Sequence, residues 1–320
     1  MTEIVSIGEV LIDLTQAGVN SQGIPLFAAN PGGSCSNLAV AAARLGAKVS
    51  FVGKVGPDGF GSSLVQVLEE NRVDVSGVRV GTKPTTLAIA SVDDKGERDF
   101  AFVRGADCDL ALEELDLETI FQTRFLHFSS VCLSAGASRE ATLAAAHEAH
   151  RRGVLVSYDP NYRPPLWTSR EAALFWMGEP LGVVDLLKVS EEELPLLTGG
   201  IADLEEGTAF LAEKGISLQL VTLGSQGVYY RWKGQSGRLP GYPVTVADTI
   251  GAGDTFLGAV LSRLARRGEK PLDGLEQEEL EAILDFANRA ASIACSRSGG
   301  IPSMPSLAEV EAGLSNGKKG

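Results

Sequence analysis

The chain has 320 residues, of which 44% are hydrophobic and 22% are charged, proportions that suit a globular protein with a large core. Its formal net charge of −13 argues against nucleic acid or an anionic membrane as a partner. No uncharged apolar run approaches the ~18 residues of a membrane span, and Met1–Glu3 lacks the basic segment of a secretory signal. The four cysteines have no metal-ligand spacing, which predicts free thiols in the cytoplasm.

The first 71 residues have the pattern strand, glycine-rich turn, helix and strand. This order is typical of α/β folds, in which ligands bind at such turns. The predicted elements are a strand over Ile4–Gly8, an alternating strand over Glu9–Thr15, a helix over Leu38–Leu45, a strand over Val49–Val52 and a helix ending at Asn71. Residues 16–31 have no clear period. Asp13 lies among apolar neighbours, where a carboxylate must be hydrogen-bonded or functional because isolated burial is costly.

A predicted β-hairpin interrupts this alternation of strands and helices. Thr85–Val92 and Phe100–Val103 alternate between apolar and polar residues on either side of Asp93-Asp94-Lys95-Gly96. Together with residues near 10–30, the hairpin is expected to form a small second sheet. This sheet would lie as a lid over the ligand-binding site that the glycine-rich turns predict. Such a lid would exclude water from the reacting groups.

From residue 125 to residue 222, predicted strands alternate regularly with helices. These strands are Phe125–Ser129, Val154–Tyr158, Leu186–Val189 and Leu218–Thr222. Polar clusters at Asp159–Arg163, Ser190–Glu193 and Thr222–Gly227 follow the last three. Because parallel sheets carry their binding groups at the carboxyl ends of strands, these clusters are expected to meet on one rim. A last helix is predicted over Leu280–Ala294, and the tail Ser315–Gly320 is predicted to be disordered.

A loop that enters a helix carries two glycines and an aspartate. It reads Asp248-Thr249-Ile250-Gly251-Ala252-Gly253-Asp254, and it follows a predicted strand over Tyr242–Val246. The first amides of a helix point outward without partners and suit an anion, while Gly251 and Gly253 let the backbone fold around a phosphate. Asp254 could then accept a proton from an attacking hydroxyl, as phosphoryl transfer requires. Alternatively, Asp254 only caps the helix and the glycines only make a turn.

Four motifs together resemble those of the ribokinase-like (PfkB) carbohydrate kinases. They are Gly32-Gly33 with Asn37, Asp159-Pro160-Asn161, Thr222-Leu223-Gly224-Ser225-Gln226-Gly227, and Asp248 to Asp254. Within the family, Asp159–Trp167 and Lys188–Glu193 look most like fructokinases, with 2-keto-3-deoxygluconate kinases as the near alternative. The resemblance implies a three-layer α/β fold, with a mostly parallel central sheet flanked by helices and a small β lid from residues 10–30 and 84–104. It also implies one domain over residues 1–320 and a homodimer that pairs through the lid.

The resemblance further implies an ATP-dependent kinase that phosphorylates the 6-hydroxyl of D-fructose. Asp254 would be the general base, and the amides of Gly251, Ala252, Gly253 and Asp254 would form an anion hole. The residues implied for the sugar are Asp13, Gly33, Asn37, Arg104, Asn161 and Arg163. Those implied for ATP are Ser190, Thr222, Gly224, Gly227 and Asn288. Glu193 would hold Mg²⁺ through water, and a K⁺ ion would bind at Asp248, Ile250, Ala294, Arg297, Gly299 and Ser303.

Some of these residues also have structural alternatives. Asn37 could be the N-cap of the helix that is predicted from Leu38. Arg104 could be a solvated hairpin residue, and Arg163 could pair with Asp159. Ser190-x-x-Glu193 also fits a capping box, with serine in place of the asparagine of the family motif.

Other classes of protein fit the sequence less well. A dinucleotide-binding oxidoreductase is disfavoured because no Gly-x-Gly-x-x-Gly follows a strand, and a P-loop kinase is disfavoured because the Walker sequence is missing. A sugar sensor without turnover is disfavoured because Asp254 and the two glycines before it are intact.

Overall fold

The computed structural model describes residues 2–92 and 98–316. Its strands are β1 (Ile4–Ile7), β2 (Leu11–Val19), β3 (Pro25–Gly32), β4 (Val49–Val55), β5 (Asp74–Val80), β6 (Leu87–Val92), β7 (Arg98–Val103), β8 (Phe125–Ser129), β9 (Leu155–Asp159), β10 (Leu186–Ser190), β11 (Leu218–Thr222), β12 (Val228–Trp232) and β13 (Gln235–Leu239). Its helices are α1 (Ser34–Arg44), α2 (Gly59–Glu70), α3 (Leu117–Ile120), α4 (Ala137–Arg151), α5 (Arg170–Gly178), α6 (Leu194–Leu197), α7 (Leu204–Glu213), α8 (Ala252–Ala265), α9 (Gln277–Cys295) and α10 (Leu307–Asn316).

Nine of these strands form one sheet in the order β13-β12-β11-β10-β9-β8-β1-β4-β5. The neighbours from β11 to β5 are parallel, and only β12 and β13 add antiparallel pairs at one edge. Helices α1, α2, α8, α9 and α10 pack on one face, and helices α3 to α7 pack on the other. The predicted three-layer fold with a mostly parallel central sheet is therefore confirmed. In the described part of the chain, no helix is both long and apolar enough to span a membrane.

The predicted second sheet is also present, with the strand order β3-β2-β6-β7. β6 and β7 form the expected antiparallel hairpin, and the Asp93–Gly96 turn between them lies outside the described residues. The expectation that residues 16–31 are irregular is wrong, because β2 continues to Val19 and β3 pairs with it through a register shift between Gln16 and Gly18. Most of β3 is exposed, so backbone pairing forms this strand without an apolar period in its sequence.

The strand predicted over Tyr242–Val246 is wrong, since the structure has no regular element there. Pro243 lacks an amide for a ladder, and the segment packs along α9. The Tyr242 hydroxyl donates to Asp285 Oδ1 (2.6 Å) and accepts from Arg289 Nη2 (2.7 Å), both of which are on that helix.

Two helix boundaries also differ from the sequence expectation. α1 begins at Ser34 with Gly33 as its N-cap, so the interpretation of Asn37 as an N-cap is wrong. α10 follows α9, so α9 is not the last helix. The tail that was predicted to be disordered begins inside α10, and residues 317–320 lie outside the described part.

Helices α1 and α8 pack closely enough to bring their amino-terminal ends to the same place. A Cβ on Gly258 of α8 would lie 2.9 Å from the Ala41 Cβ and 3.0 Å from the Leu38 carbonyl oxygen of α1. These separations are shorter than ordinary van der Waals contacts. Glycine at position 258 therefore sets the distance between the two helices.

We predict that Gly258→Ala destabilises the protein although alanine favours helices. The added methyl group would force α1 and α8 apart, and overpacking of this kind costs about 1–3 kcal/mol. Gly178→Ala is the matched control, because Gly178 also lies in a helix and nothing lies within 4 Å of an added Cβ. The control should be neutral, or more stable by up to about 1 kcal/mol. Urea denaturation measures both variants, and equal stabilities would contradict the role given to Gly258.

Candidate active site

A cavity of about 1200 Å³ opens between the carboxyl ends of the central strands and the lid. The lid contributes Asp13, Ala88 and Phe102 to its wall. The remaining wall comes mainly from the starts of α1 and α8, from the segments that follow β9, β10, β11 and β13, and from α9. The polar clusters of the three strand ends thus meet on one rim, as the sequence predicts.

Most of the predicted site residues line this cavity. The lining includes Asp13, Gly33, Asn37, Asn161, Arg163, Ser190, Glu193, Thr222, Gly224, Gly227, Ile250, Gly251, Ala252, Gly253, Asp254 and Asn288. Six of the predicted residues do not contribute to the wall. These are Arg104, Asp248, Ala294, Arg297, Gly299 and Ser303.

Asp254 is the third residue of α8 and lies almost completely inside the protein, with 6% of its surface exposed. Its Oδ1 accepts from Ser34 Oγ (2.8 Å) and from Asn161 Nδ2 (3.4 Å), and its Oδ2 accepts from Asn37 Nδ2 (2.8 Å). The N-cap of α8 is Gly251, whose φ of 76° lies in the left-handed region that glycine adopts easily. The Asp254 side chain therefore joins α8 to α1 and to the segment after β9.

The start of α8 leaves backbone donors free. The Ala252 amide donates to the Thr249 carbonyl (3.2 Å), and the Thr255 amide donates to the Gly251 carbonyl (2.8 Å). Between them, the amides of Gly253 and Asp254 have no acceptor among the described residues. Free amides at the positive end of a helix dipole form an anion site.

Burial raises the pKa of Asp254 above its ordinary value. The hydrogen bonds from Asn37 and Ser34 and the charges of Lys188 and Arg163 oppose this rise, because they favour the ionised form. A carboxylate whose pKa is raised in this way accepts a proton more readily than an exposed aspartate does.

Asp13 reaches the cavity from β2 of the lid. Its carboxylate occupies the space beside Gly32, since a Cβ on that glycine would lie 1.9 Å from Asp13 Oδ2. The pKa of Asp13 is raised to about 7, chiefly by burial; the charges of Asp254, Glu9 and Asp248 add to the rise, and the charge of Arg163 opposes it. The Asp13 carboxyl therefore carries a large cost of ionisation that a ligand hydroxyl would reduce by donating to it.

Glu9 belongs to the site although it was not predicted from the sequence. It is 1% exposed, and its Oε1 accepts from the amides of Ser34 (2.5 Å) and Cys35 (3.3 Å) at the start of α1. Its Oε2 accepts from Ser129 Oγ (3.1 Å). Burial raises the pKa of this carboxyl. An ionisable residue directly after a buried strand is the signal that could have found it, by the same argument that found Asp13.

The two predicted arginines differ in their surroundings. The Arg104 guanidinium donates to Ser134 Oγ (2.5 Å) and pairs with Asp107 Oδ2 (2.8 Å), and 17% of its side chain is exposed. It is therefore not the solvated residue of the alternative interpretation, and it is not among the residues that line the cavity. Arg163 lines the cavity, but it does not pair with Asp159 as the other alternative expected. Asp159 Oδ2 instead pairs with Lys188 Nζ (3.0 Å).

Glu193 forms the capping box that the sequence allows. Its Oε2 accepts from the Ser190 amide (2.8 Å), while Ser190 Oγ accepts from the Glu193 amide (3.2 Å). Its Oε1 accepts from the Tyr162 amide (2.7 Å), which ties the segment after β9 to the segment after β10. The two hydrogen bonds of a capping box are thus present, although α6 begins only at Leu194 with Glu193 as its N-cap, and the magnesium role of Glu193 stays a prediction.

Asp248 joins two loops beside the start of α8. Its Oδ1 accepts from the amides of Thr249 (2.8 Å) and Ile250 (3.2 Å), and its Oδ2 accepts from the Gly299 amide (3.2 Å). Ser303, farther along the second loop, donates through Oγ to the Gly300 carbonyl (2.8 Å). The residues proposed for a cation therefore lie at the end of α9 and on two loops that Asp248 already holds together.

Free amides at a helix start, a buried carboxylate beside them and a covering lid are the components of a phosphoryl-transfer enzyme. A family model described as pfkB family carbohydrate kinase matches residues 1–307. The chain belongs to this family of carbohydrate kinases.

Curated and solved relatives cover almost the whole chain. Fructokinase-1 of Oryza sativa subsp. japonica is 41% identical over 314 residues, with 96% of each chain covered. The crystal structure of a Xylella fastidiosa fructokinase with bound ATP superposes with a TM-score of 0.92, at 30% identity and 99% coverage of both chains. A Vibrio cholerae O395 fructokinase bound to fructose, ADP and calcium gives a TM-score of 0.86, at 32% identity and 98% coverage of both.

Ionisation of Asp13 should make the protein less stable as the pH rises. Its pKa in the folded protein is about 7, against an ordinary value of 3.8, so the folded state binds the proton more tightly across this interval. The free-energy cost of ionising Asp13 in the folded protein is absent below about pH 4 and complete above about pH 7. We therefore expect Asp13→Asn to melt at a higher temperature than the parent at pH 8, by roughly 2–4 °C for each kcal/mol recovered.

The difference in melting temperature between Asp13→Asn and the parent should shrink toward zero near pH 4. Asp273→Asn is the control, because 72% of the Asp273 side chain is exposed, and this variant should follow the parent at every pH. A difference between Asp13→Asn and the parent that stays constant from pH 4 to pH 8 would contradict the raised pKa of Asp13.

Proposed function

We propose that this chain is an ATP-dependent fructokinase, which transfers the γ-phosphoryl group of ATP to the 6-hydroxyl of D-fructose. Membership of the carbohydrate kinase family supports the reaction, and the relatives named fructokinases support the sugar. The single observation that carries the proposal is the Asp254 carboxylate, held next to the free amides of Gly253 and Asp254 in a cavity that Asp13 also lines.

In this reaction Asp254 accepts the proton of the 6-hydroxyl as that oxygen attacks the γ-phosphorus. A loose, metaphosphate-like transition state releases the proton late, so a carboxylate is a strong enough base when it is well placed. The backbone around Gly251 and Ala252 directs the amides of Gly253 and Asp254 at the oxygens of the transferring group. Loss of one such donor costs roughly 10²–10³ in rate in other enzymes.

The sugar occupies the part of the cavity between the lid and α1. Asp13 accepts hydrogen bonds from sugar hydroxyls. The side-chain amides of Asn37 and Asn161, which donate to Asp254, also form hydrogen bonds with the sugar. Gly33 has a φ of 109° and leaves no room for a side chain, so the backbone can approach the ligand closely. Arg163 faces the cavity as a positive charge, whereas Arg104 does not line it and is held by its partners Asp107 and Ser134.

The nucleotide occupies the part lined by the segments that follow β10 and β11 and by α9. Ser190, Thr222, Gly224, Gly227 and Asn288 line this part of the wall. The Asn288 amide donates to the Pro240 carbonyl (3.1 Å) and so fixes the chain after β13 against α9.

Two metal sites belong to this proposal. Glu193 uses one lone pair of each carboxylate oxygen for a backbone amide, which leaves acceptor capacity for the water of a hydrated Mg²⁺. Magnesium supplies charge neutralisation at the phosphates when it is bound. Asp248, Ile250, Ala294 at the end of α9, Arg297, Gly299 and Ser303 would hold K⁺, whose field would reinforce the start of α8. Both sets offer the oxygen ligands that hard cations prefer.

We further propose a homodimer that pairs through the lid, in the cytoplasm. In the described part of the lid, five large apolar side chains are more than 40% exposed, namely Val19, Ile24, Leu26, Phe27 and Val103. An apolar group of this kind is typical of a protein–protein contact. The four cysteines are free thiols, which suits a reducing compartment.

The function is tested by initial rates of the purified protein with ATP and each of two sugars. We expect fructose to be phosphorylated at least tenfold faster than 2-keto-3-deoxygluconate, and Asp254→Asn to lose at least 10³-fold in kcat with an intact fold, as loss of a proton acceptor implies (about 4 kcal/mol). Ser262→Ala is a matched control, since Ser262 lies on the same helix and donates only to the Ala259 carbonyl. No turnover of fructose would contradict the function, and a loss below about tenfold in Asp254→Asn would contradict the general base.

The dimer is tested by placing a charge on the exposed face of the lid. Phe27→Glu should convert a dimer into a monomer, because burying an unpaired carboxylate in an apolar contact is costly. Phe175→Glu is the control, since Phe175 is 64% exposed on α5, far from the lid in the chain. Light scattering after size-exclusion chromatography gives the masses. A parent protein that is already monomeric, or a Phe27→Glu dimer, would contradict the proposal.

A further inference from the structure

A buried lysine lies beneath the start of α8. Lys188 belongs to β10, and all the remaining residues of this strand before Ser190 are apolar. Only 7% of the surface of Lys188 is exposed. Its ammonium group pairs with Asp159 Oδ2 (3.0 Å) at the end of the neighbouring strand β9. A charged side chain is rarely placed in a central strand without a purpose, because even a paired charge pays a desolvation cost there.

The Lys188 ammonium group also occupies the space beside Gly253 at the start of α8. A Cβ built on Gly253 would lie 2.9 Å from Lys188 Nζ and 3.5 Å from its Cε. The Gly253 amide is one of the two free donors at the start of α8. Glycine at position 253 thus serves a second purpose besides access for a phosphate, since it gives the lysine room to lie against the loop.

We infer that Lys188 is the fixed cation of the anion hole, which Asp159 holds in place against Gly253 while its charge acts on the transferring phosphoryl group and on Asp254. The inference rests on the proposed kinase function. A preorganised positive charge in a site of low dielectric stabilises developing negative charge without any rearrangement during the reaction. Such a charge is needed here because the chain as a whole carries a net charge of −13.

The charged groups around Lys188 support this assignment. It faces Asp159 on β9, Glu193 after β10 and Asp254 on α8, while the neutral His127 lies nearby on β8. Burial alone would lower the pKa of Lys188, but the three carboxylates outweigh it and raise the pKa, so the ammonium group stays protonated. Its charge in turn lowers the pKa of Asp254 and favours the ionised base.

A purely structural role for Lys188 would be to neutralise Asp159, and two variants separate the roles. Lys188→Met keeps the side chain as far as Cε but leaves Asp159 buried without its partner, which is expected to destabilise the fold. The double variant Lys188→Met/Asp159→Asn removes both charges together and should fold as well as the parent, because replacing a whole buried pair is often neutral.

The experiment compares the parent and the double variant in kinetics with ATP and fructose over pH 5 to 9. We expect the double variant to lose roughly 10²-fold in kcat with a change of less than about threefold in the KM for fructose, since the missing charge acts on the transition state. The acid limb of its kcat/KM profile should move to higher pH, because Asp254 loses the cation that favours its ionised form. The loss of Asp159 from the same variant opposes part of this shift, but Lys188 has the larger effect on Asp254, and Arg163 and Asp13 remain in both proteins.

A double variant that folds and keeps kcat within about fivefold of the parent, with an unmoved acid limb, would overturn the inference and reduce Lys188 to a partner of Asp159. A second readout uses Lys188→Ala/Asp159→Asn, to which n-propylammonium is added. Recovery of kcat with this cation but not with 1-propanol would support a role of charge, and equal recovery with both would overturn it. A parent protein without fructose turnover would instead contradict the proposed function itself.

Discussion

The hydrogen bonds from Ser34 and Asn37 to the Asp254 carboxylate hold the site together, because they join two helices that are more than 200 residues apart in the chain. A buried carboxylate without donors would be protonated or would destabilise the fold. With these donors, Asp254 stays in one place in the wall of the cavity, beside the amides that begin α8. The rest of the structure serves to keep the two helix starts together.

Several buried charged groups support the starts of α1 and α8 from the interior of the protein. Glu9 fixes the first amides of α1, and the pair of Lys188 and Asp159 supports the start of α8 from the central strands. Glu193 connects two strand ends through backbone amides. Each group is costly to bury, and each is compensated by hydrogen bonds or an opposite charge. The charges and backbone dipoles around the cavity are therefore fixed in place before any ligand enters. Such preorganisation is what allows a site to stabilise a transition state.

Periodic parts of the sequence predict the fold well. The buried strands from Phe125 to Thr222 and the parallel sheet follow directly from short apolar runs that alternate with helices. The meeting of three polar clusters on one rim follows from the geometry of parallel strands. The lid was harder to predict, because β3 is mostly exposed and has no apolar period. Tyr242–Val246 alternates like a strand but packs along a helix, and only tertiary contacts distinguish the two cases.

The candidate site was only partly predictable for a related reason. Motifs show which residues can take part in chemistry, but they do not show which partners those residues find. Arg104 pairs with Asp107 and does not line the cavity, whereas Lys188, which no motif singled out for a role, lies against Gly253. Glu9 and Lys188 both interrupt apolar strand segments, and this pattern is a usable signal for buried functional charges.

The central claim is that Asp254 and the free amides beside it act on the same phosphoryl transfer. The most direct test is a crystal structure with fructose and a non-hydrolysable ATP analogue. We expect the 6-hydroxyl within about 2.6–3.2 Å of an Asp254 carboxylate oxygen and the γ-phosphate on the amides of Gly253 and Asp254. A sugar whose 6-hydroxyl points away from Asp254, with the phosphate bound elsewhere on the rim, would contradict it.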